Sequence, residues 1–359
     1  MKTWIFDKEA ATLTLQDLPA PAVRPGAVLV RMEAVPLLSY TRDYVAGKLP
    51  YAYPQGPFTP GTNGVGRVLE VGAGVQHFHV GQRVALNPYW LAGENVAEPA
   101  QILIGLTGIS ADSAGMLAEY SDGSLREIVD MPASTLVPLD GLEEMPADRL
   151  ATLAKFIVPF GGLRRVRVAA GDMVAINGAG GYFGSAAVLA ALAMGAARVL
   201  AVGRRASALQ GLVELGKGRV VPVVLSGDVE ADVATMRSLS GGGVAAALDM
   251  VGQASSADST LAVLRSLRRG GRLAVMGSML VPLPLPYGEM MLNNWELVGN
   301  FMYRPDDYRA LTALVESGQL SLDAIDVTSF ALADLEAAID HAAGMQGLQA
   351  TVVHMGKGS

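Results

Sequence analysis

The sequence predicts an α/β protein in which a doubly wound parallel sheet follows a smaller β domain. Residues 172–205 read as strand, glycine turn, apolar helix and second strand without interruption. From Asp148 onward, short apolar strands alternate with helices, which is typical of a parallel sheet covered by helices. Residues 1 to about 130 instead show short strands separated by proline and glycine. At 359 residues the chain exceeds what one core usually supports, so we expect two domains.

The individual elements follow from apolar runs and their flanking turn residues. The strands predicted in the first part are 2–6, 27–34, 64–71 and 83–86. The strands predicted in the second part are 173–177, 197–202, 220–225, 245–250, 272–276 and an edge strand at 296–302. The tail is predicted to contain a helix at 305–317, a strand at 325–330, a helix at 333–343 and a strand at 350–354, with Asp306 and Asp334 as helix caps.

The turn at 178–184 carries almost no Cβ bulk between a predicted strand and a long helix. It matches GxGxxG with alanine in the first place, and the matching residues are Ala179, Gly181 and Gly184, with Tyr182 and Phe183 inside the motif. Such a turn lets backbone amides and the helix dipole approach a pyrophosphate. The sequence therefore predicts a dinucleotide site, and the alternative is a glycine-rich turn that binds nothing.

The residues after the second strand of this unit indicate which dinucleotide is preferred. Gly203, Arg204 and Arg205 stand where NAD-preferring enzymes usually place an acidic residue for the ribose hydroxyls. Two guanidinium groups can form charge-assisted contacts with a 2′-phosphate. We therefore expect NADP(H), although the two arginines could also be an ordinary solvated surface pair.

Composition and charge argue against several classes of partner. The net charge is −7 and no basic run occurs, which disfavours nucleic acid and anionic membranes as partners. The longest apolar stretch, 188–202, is too short to span a bilayer, and a cytoplasmic location is the default expectation. Cysteine is absent, so neither disulfides nor thiolate-bound metals are expected. The segment 92–123 matches no motif and reads either as a lid or specificity insert or as surface elaboration.

Four blocks of the sequence resemble the medium-chain dehydrogenase/reductase superfamily over nearly the whole chain. They are LPAPAVRPGAVLVRMEAV, FTPGTNGVGRVLEVGAGVQHFHVGQRVAL, the glycine turn with its flanking strands, and DMVGQASSADSTLAVLRSLRRGGRLAVMGS. The resemblance implies a GroES-like catalytic β domain at 1–150, completed by 303–359, and a Rossmann domain at 151–302 that binds NADP(H). It also implies a homodimer formed through edge strands of the Rossmann sheet.

The chain departs from this family at the positions that bind catalytic zinc. Zinc-dependent members carry histidine and glutamate after the proline and glycine that precede GxG, whereas here Thr62 and Asn63 follow Pro60 and Gly61. The cysteine ligand expected near residues 39–43 is also missing. We read His77 and His79 as solvated loop residues. No metal is therefore expected, and the chain resembles the zinc-free branch of quinone oxidoreductases and enoyl or enone reductases.

Without a metal, reduction of an activated substrate is easier than oxidation of an unactivated alcohol. Hydride addition to a conjugated carbonyl compound places the negative charge on the substrate's own oxygen, so the protein needs only to align the reactants and supply hydrogen-bond donors. The leading hypothesis is a zinc-independent NADPH-dependent oxidoreductase acting on a quinone or an α,β-unsaturated carbonyl compound. The alternatives are an alcohol or carbonyl dehydrogenase of the same superfamily and a non-catalytic NADP(H)-binding protein.

The resemblance also suggests which residues form the site. In zinc-free relatives a tyrosine shortly before the proline–glycine turn can act as the acid, and Tyr51 fits this position best, with Tyr53 second and Asn63 as a further candidate. Each could instead be a loop residue that covers apolar surface or caps a turn. The cofactor residues expected at later strand ends are Val251, Gly252, Met276, Gly277 and Ser278, with Phe301 and Met302 flanking the nicotinamide.

Overall fold

A computed structural model of the chain describes residues 1–356 and divides into two compact units. The first unit comprises Met1–Ala154, Ile325–Met345 and the chain from Gln349 onward, and the second comprises Lys155–Ala324 and Gln346–Leu348. One unit is built on mainly antiparallel strands and the other on a parallel sheet. The predicted α/β class, a GroES-like β domain plus a Rossmann domain, is confirmed. Within the described part of the chain, every helix is too short or too polar to cross a membrane.

The elements of the N-terminal part are short and separated by turns. They are β1 (Lys2–Asp7), β2 (Thr12–Asp17), β3 (Ala27–Leu37), α1 (Thr41–Val45), β4 (Gly64–Val71), β5 (Arg83–Leu86), β6 (Tyr89–Leu91), β7 (Gln101–Leu103), β8 (Thr107–Gly108), α2 (Ala114–Glu119), β9 (Ile128–Pro132), β10 (Leu136–Pro138) and α3 (Ala147–Ala151). All four strands predicted in this part form, and β4 and β5 have the predicted bounds.

The second unit alternates strands and helices from its first residues. Its elements are α4 (Leu153–Arg165), β11 (Met173–Asn177), α5 (Tyr182–Ala193), β12 (Arg198–Gly203), α6 (Ser207–Leu215), β13 (Val220–Val224), α7 (Val229–Leu239), β14 (Val244–Asp249), α8 (Asp258–Arg265), β15 (Leu267–Val275), α9 (Tyr287–Asn293), β16 (Glu296–Gly299) and α10 (Pro305–Glu316). The chain then returns to the first unit with β17 (Asp326–Ala331), α11 (Leu335–Ala343) and β18 (Gln349–His354).

In the first unit, the return of the chain completes a large sheet. The strand order is β10-β5-β4-β3-β18-β17, with β9 also paired to β3. β18 runs antiparallel to β3 and parallel to β17. The C-terminal strand therefore lies inside the sheet rather than at its edge, which ties the tail to the N-terminal part of the chain.

In the second unit, six parallel strands follow the order β13-β12-β11-β14-β15-β16. All six residues of β14, the sequence VAAALD, are buried, as expected for a strand covered on both faces. The strand order reverses between β11 and β14. Ligands of open parallel sheets bind outside the carboxyl ends of the strands at such a switch point, so the order itself locates a candidate site.

Several element bounds differ from the sequence-based expectation, among them β3, which extends to Leu37, and β15, which begins at Leu267. β16 ends at Gly299 rather than 302, because Met302 has a left-handed backbone with φ 53° and Asn300 Nδ2 donates to its carbonyl oxygen at 2.9 Å. Asp306 does not cap α10: Pro305 starts the helix, and Asp307 Oδ2 accepts from the Arg304 amide at 2.7 Å. Asp334 does precede α11, although its side chain forms no capping hydrogen bond.

The segment 92–123 is an integral part of the first unit. It supplies β7, β8 and α2, and β7 joins β6 and β8 in a three-stranded sheet. Ile102, Ile104, Leu106 and Leu117 from this segment are buried. The segment is therefore packed into the first unit, and both interpretations of it, a lid or specificity insert and surface elaboration, stay predictions.

The second unit extends further along the chain than the expected boundary at 303. Arg164 on α4 forms ion pairs with Asp306 at 3.3 Å and with Asp307 at 2.8 Å, which attach α10 to this unit. The chain returns to the first unit only at Ile325. Residues 303–324 thus lie with the parallel sheet.

Candidate functional site

A cavity of about 620 Å³ lies at the carboxyl ends of β11, β12, β13 and β14. Four successive loops of the parallel sheet form its wall. Its lining residues are Asn177, Gly178, Gly180, Gly181, Gly203, Arg204, Arg205, Ala208, Leu209, Leu225, Ser226, Gly227, Asp232, Met250, Val251, Gly252, Gln253, Ala254, Ser255, Ser256, Asp258 and Ser259. The cavity is at the switch point of the strand order, and it matches the place where a dinucleotide binds in sheets of this kind.

The glycine turn is shaped by two requirements of the backbone. Gly178 has φ +77°, a conformation that residues with a Cβ rarely adopt. A Cβ on Gly184 would lie 2.0 Å from the Gly178 oxygen, so only glycine lets α5 approach β11 this closely. The Ala179 amide donates to the Val202 oxygen at 3.0 Å, which joins the turn to β12. The turn therefore holds the N-terminus of α5 next to the cavity, where its free amides can meet an anion.

The two arginines after β12 both line the cavity but differ in their contacts. Arg205 Nη2 donates to Gln346 Oε1 at 3.1 Å. Arg204 is exposed and takes part in none of the hydrogen bonds or ion pairs found among residues 1–356. The acidic residue of the wall near them, Asp232, accepts two hydrogen bonds from Ser226 at 2.8 Å. An anionic group that enters this part of the cavity would meet an available guanidinium.

Asp249 organises the next part of the wall from within the protein. Its Oδ1 accepts from the Val251 amide at 2.9 Å and from Asn177 Nδ2 at 3.4 Å, and its Oδ2 accepts from the Thr260 hydroxyl. Burial raises the pKa of this carboxyl, and the hydrogen bonds partly oppose the shift. Asp249 is thus a structural acid that fixes the loops after β11 and β14.

The predicted cofactor residues fall into two groups. Those that line the cavity are Gly181, Gly203, Arg204, Arg205, Val251 and Gly252. Those that do not line it are Ala179, Tyr182, Phe183, Gly184, Met276, Gly277, Ser278, Phe301 and Met302. Gly277 and Ser278 lie directly beside the wall, since a Cβ on Gly277 would be 1.9 Å from the Val251 oxygen and one on Gly252 would be 3.3 Å from Ser278 Oγ. Phe301 is 55% exposed.

Several wall residues were not predicted from the sequence. Gln253, Ala254, Ser255 and Ser256 extend the loop after β14, and Ser226 and Gly227 follow β13. Val251 was predicted because loops that follow parallel strands line the ligand site. The same rule applies to the loop after β13 and would have predicted Ser226. Nothing in the sequence indicated how far the loop after β14 follows the cavity.

A buried lysine beside the turn was also missed. Lys155 is 0% exposed, its Nζ lies 3.4 Å from the centroid of the Tyr182 ring, and it donates to the Gly347 oxygen at 2.7 Å. Burial lowers the pKa of this amine to about 6. A lone lysine in an apolar helix gives no sequence signal of this arrangement.

The predicted catalytic tyrosines lie in the first unit as part of a cluster of six aromatic rings, formed by Phe6, Tyr40, Tyr44, Tyr51, Tyr53 and Phe58. Tyr53 stacks on Tyr44 with ring centroids 4.8 Å apart, and its hydroxyl donates to the Tyr44 backbone oxygen at 3.1 Å. Tyr51 contacts Tyr40 edge to face at 6.4 Å and shares a side-chain hydrogen bond with it. Burial raises the pKa of Tyr51, and the bond to Tyr40 lowers it in part. Both phenols are therefore protonated at neutral pH.

Asn63 and Thr62 are held by hydrogen bonds inside the first unit. Thr62 Oγ1 donates to Asn63 Oδ1 at 3.1 Å, and Asn63 Nδ2 donates to the Leu86 oxygen at 3.3 Å. The Asn63 backbone oxygen accepts from Ser124 Oγ at 2.7 Å. Asn63 is 8% exposed, and its amide stabilises the start of β4.

Comparison with known proteins identifies relatives over both units. A family model described as "Alcohol dehydrogenase GroES-like domain" matches residues 24–141, and one described as "Zinc-binding dehydrogenase" matches residues 183–317. An alcohol dehydrogenase from Geobacillus stearothermophilus is 28% identical, over 89% of this chain and 90% of the relative. A sorbitol dehydrogenase from Bacillus subtilis is 26% identical, over 81% and 79%. The crystal structure of 2R,3R-butanediol dehydrogenase from Bacillus subtilis has a similar fold, with a TM-score of 0.81, 22% identity and 99% of both chains covered.

The second family model names a zinc site, so the side chains present here can be tested for zinc binding. Zinc is held by three or four sulfur, imidazole or carboxylate ligands, and the sequence contains no cysteine. In the part of the chain that the structure describes, no three His, Asp or Glu side chains come together in a way that could hold a metal ion. The positions after Gly61 carry a hydroxyl and an amide that bond to each other. These side chains do not fit a zinc ion.

The two family models match in the same order as the two units of the structure. Residues 24–141 fall in the first unit, and residues 183–317 fall in the second, which contains the glycine turn's helix and the arginine pair. The chain belongs to the medium-chain dehydrogenase/reductase superfamily of nicotinamide dinucleotide-dependent oxidoreductases.

Proposed function

We propose that the protein uses NADPH to reduce a small carbonyl compound, without a catalytic metal. Relatives named for the oxidation of alcohols and sorbitol support a carbonyl and alcohol pair as substrate and product. Arg204 and Arg205 in the cavity wall support a cofactor with a 2′-phosphate. The observation that carries the proposal is the placement of the Tyr51 phenol, which is partly buried, hydrogen-bonded to Tyr40 and protonated at neutral pH, so that it can give a proton to the oxyanion that hydride addition produces.

The names of the relatives agree better with the alternative drawn from the sequence, an alcohol or carbonyl dehydrogenase, than with the leading hypothesis of a quinone or enone reductase. Reduction of a quinone or enone is kept as the second candidate function for one specific reason. Residues 1–356 offer no donor set for the zinc that would polarise an unactivated carbonyl. A conjugated substrate needs less polarisation, because its own oxygen takes up the charge.

A bound NADPH would supply the hydride. The hydride would go to the carbonyl carbon and the C=O electron pair to the oxygen, and the Tyr51 hydroxyl would donate its proton to that oxygen to give an alcohol. The Tyr40 side chain, hydrogen-bonded to Tyr51, stabilises the transient phenolate. With a conjugated substrate the same proton goes to the enolate. Tyr53 is less suited to this task because its hydroxyl already donates to the Tyr44 oxygen.

Replacement of Tyr51 tests the proton donor. We expect Tyr51→Phe to lower kcat for carbonyl reduction by about 100-fold, in the range found for loss of a general acid, while the Kd for NADPH changes by less than about twofold. Tyr53→Phe is the matched control, because it removes a hydroxyl from the same aromatic cluster. Equal activity of wild type and Tyr51→Phe would contradict the assignment.

The substrate class is tested by following NADPH consumption with aldehydes, ketones, enones and quinones, each with and without a chelator. Turnover of simple aldehydes or ketones that survives chelation supports the first candidate, and turnover confined to enones and quinones supports the second. Loss of turnover on chelation would contradict a metal-free mechanism. NADPH binding without oxidation of any acceptor would favour the third possibility, a non-catalytic NADP(H)-binding protein.

We also propose that the active form is a homodimer. In the described part of the chain, β16 is one of the two edge strands of the parallel sheet, the other being β13, and α9, which precedes β16 in sequence, has no fully buried residue. Leu280 is 97% exposed, and Met291 and Leu292 are 61% and 64% exposed. A second copy would cover these side chains and pair the free edge of β16.

A further inference from the structure

Lys155 in α4 has a buried amine that takes no part in the proposed hydride transfer. It is completely buried, and its amine contacts the face of the Tyr182 ring and the Gly347 oxygen. A buried ammonium is costly unless its surroundings stabilise the charge, so a buried lysine tends to release its proton. The position of the amine next to the cavity suggests that binding of an anion there would lead to its protonation.

Two of the groups that the amine contacts, the Tyr182 ring and the Gly347 oxygen, adjoin the cavity wall. Tyr182 is the first residue of α5 and directly follows Gly181, which lines the cavity. Gly347 lies against the glycine turn, since a Cβ there would be 3.9 Å from the Gly180 oxygen. The neighbouring Gln346 accepts a hydrogen bond from Arg205. Lys155 therefore connects the segment Gln346–Leu348 to the N-terminus of α5, where an anion is expected.

We propose that Lys155 is a positioning residue of the dinucleotide site that gains a proton when the pyrophosphate binds at the glycine turn. The inference rests on the proposed binding of a dinucleotide and adds that protonation of Lys155 accompanies this binding. As an ammonium, Lys155 holds the Gly347 oxygen and the Tyr182 ring more strongly than as an amine. The segment Gln346–Leu348 is then fixed beside Arg205 while the dinucleotide is bound.

The charges around the amine determine the sign of the effect. With the cavity empty, burial keeps the pKa of Lys155 near 6, so the amine is mostly neutral at pH 7.5. On α5 it faces the phenol of Tyr182, whose pKa burial raises, so that this group is neutral too. The segment Gln346–Leu348 has no titratable side chain, and Arg205, bonded to Gln346, disfavours a second positive charge. The two negative charges of a pyrophosphate act in the opposite sense and raise the pKa of Lys155.

Proton uptake on binding can be measured by isothermal titration calorimetry in two buffers of different ionisation enthalpy at pH 7.5. NADH is the probe, because it lacks the 2′-phosphate, whose own titration would otherwise contribute. We expect wild type to gain about half a proton for each NADH bound, and Lys155→Met to gain almost none. Lys155→Arg should also gain almost none, because guanidinium stays charged in both states.

The affinity for NADH should depend on pH for the same reason. Protonation favours the complex, so the advantage of wild type over Lys155→Met is largest at low pH and disappears as pH rises above the pKa of the bound form. We expect Lys155→Met to raise the Kd for NADH about tenfold at pH 6 and less than about twofold at pH 9. A merely structural role would give the same loss at both pH values.

Lys48→Met is the matched control, because Lys48 is exposed and lies in the first unit. It should leave both the proton count and its pH dependence unchanged. A wild-type proton count of zero, or an unchanged count in Lys155→Met and Lys155→Arg, would overturn the inference while leaving dinucleotide binding intact. If neither NADH nor NADPH binds to wild type, the proposed function itself fails, and the inference fails with it.

Discussion

At the residue scale, the arginine pair after β12 divides into one available and one engaged guanidinium. Arg204 is exposed in the cavity wall, whereas Arg205 is bonded to Gln346. We expect Arg204→Ala to weaken NADPH binding about 10-fold to 100-fold, the loss typical of one charge-assisted contact, and to change NADH binding by less than about twofold. Fluorescence titration with each nucleotide measures both constants.

The second arginine supplies the control for this selectivity. Arg205→Ala removes a charge and also releases Gln346, so it should weaken both nucleotides, with the larger effect on NADPH. Gln346→Ala removes the bond to Arg205 and keeps both guanidinium charges, so it should affect NADPH and NADH equally. If Arg204→Ala weakened the two nucleotides to the same extent, the preference for NADP(H) would have no basis at this position.

The residues of the candidate cofactor site show how far a sequence can lead at this scale. The predicted cofactor residues Arg204, Arg205 and Val251 do line one cavity, because the end of a parallel strand is readable from apolar runs. Lys155 was not predicted, because its role depends on a carbonyl 192 positions away in the chain. No local pattern encodes a contact of that range.

At the scale of elements, the close approach of α5 to β11 depends on Gly184. A Cβ there would lie 2.0 Å from the Gly178 oxygen, and backbone on both sides leaves no side chain to move away. We expect Gly184→Ala to lower the free energy of unfolding by about 2 kcal/mol or more and to weaken binding of both nucleotides. Urea denaturation gives the first quantity, and nucleotide titration gives the second.

Gly211 in α6 is the matched control for this substitution. It is also a helical glycine, but a Cβ there would meet no atom within 4 Å. Gly211→Ala should raise stability by up to about 1 kcal/mol, because alanine favours the helix and restricts the unfolded chain. Similar effects of the two substitutions would mean that the turn tolerates a side chain and that the predicted packing constraint is absent.

Elements were predicted where apolar periodicity is strong and less well where side chains set the ends. β4 and β5 have the predicted bounds, because turn residues enclose each apolar run. β16 stops three residues early, since Asn300 bonds to the backbone of Met302. The start of α10 depends on Asp307 reaching back to Arg304 rather than on Asp306. Both ends rest on hydrogen bonds that compete with local propensity.

At the scale of the whole molecule, the exposed apolar residues concentrate in one stretch of the chain. Leu280, Leu285, Tyr287, Met291 and Leu292 are between 51% and 97% exposed, and all precede β16. A seven-residue helix such as α9 is too short to be stable on its own, and none of its residues is fully buried in the monomer, where Met290 packs against the core but stays partly exposed. A cover for this surface is therefore expected, and pairing of the edge strand with a second copy provides one that is closed and symmetric.

Light scattering coupled to size-exclusion chromatography tests this arrangement. We expect wild type to elute as a particle of two chains. The double variant Met291→Lys, Leu292→Lys should elute as a single chain, because two added lysines per chain would bury four ammonium groups at a symmetric interface. Val80→Lys, at an apolar site 66% exposed in the first unit, should remain dimeric. Two results together would support pairing through β16. The lysine pair must dissociate the dimer, and the separated chains must still bind NADPH, because NADPH binding depends on the cavity. A dimer that survives the substitutions would have to use another face.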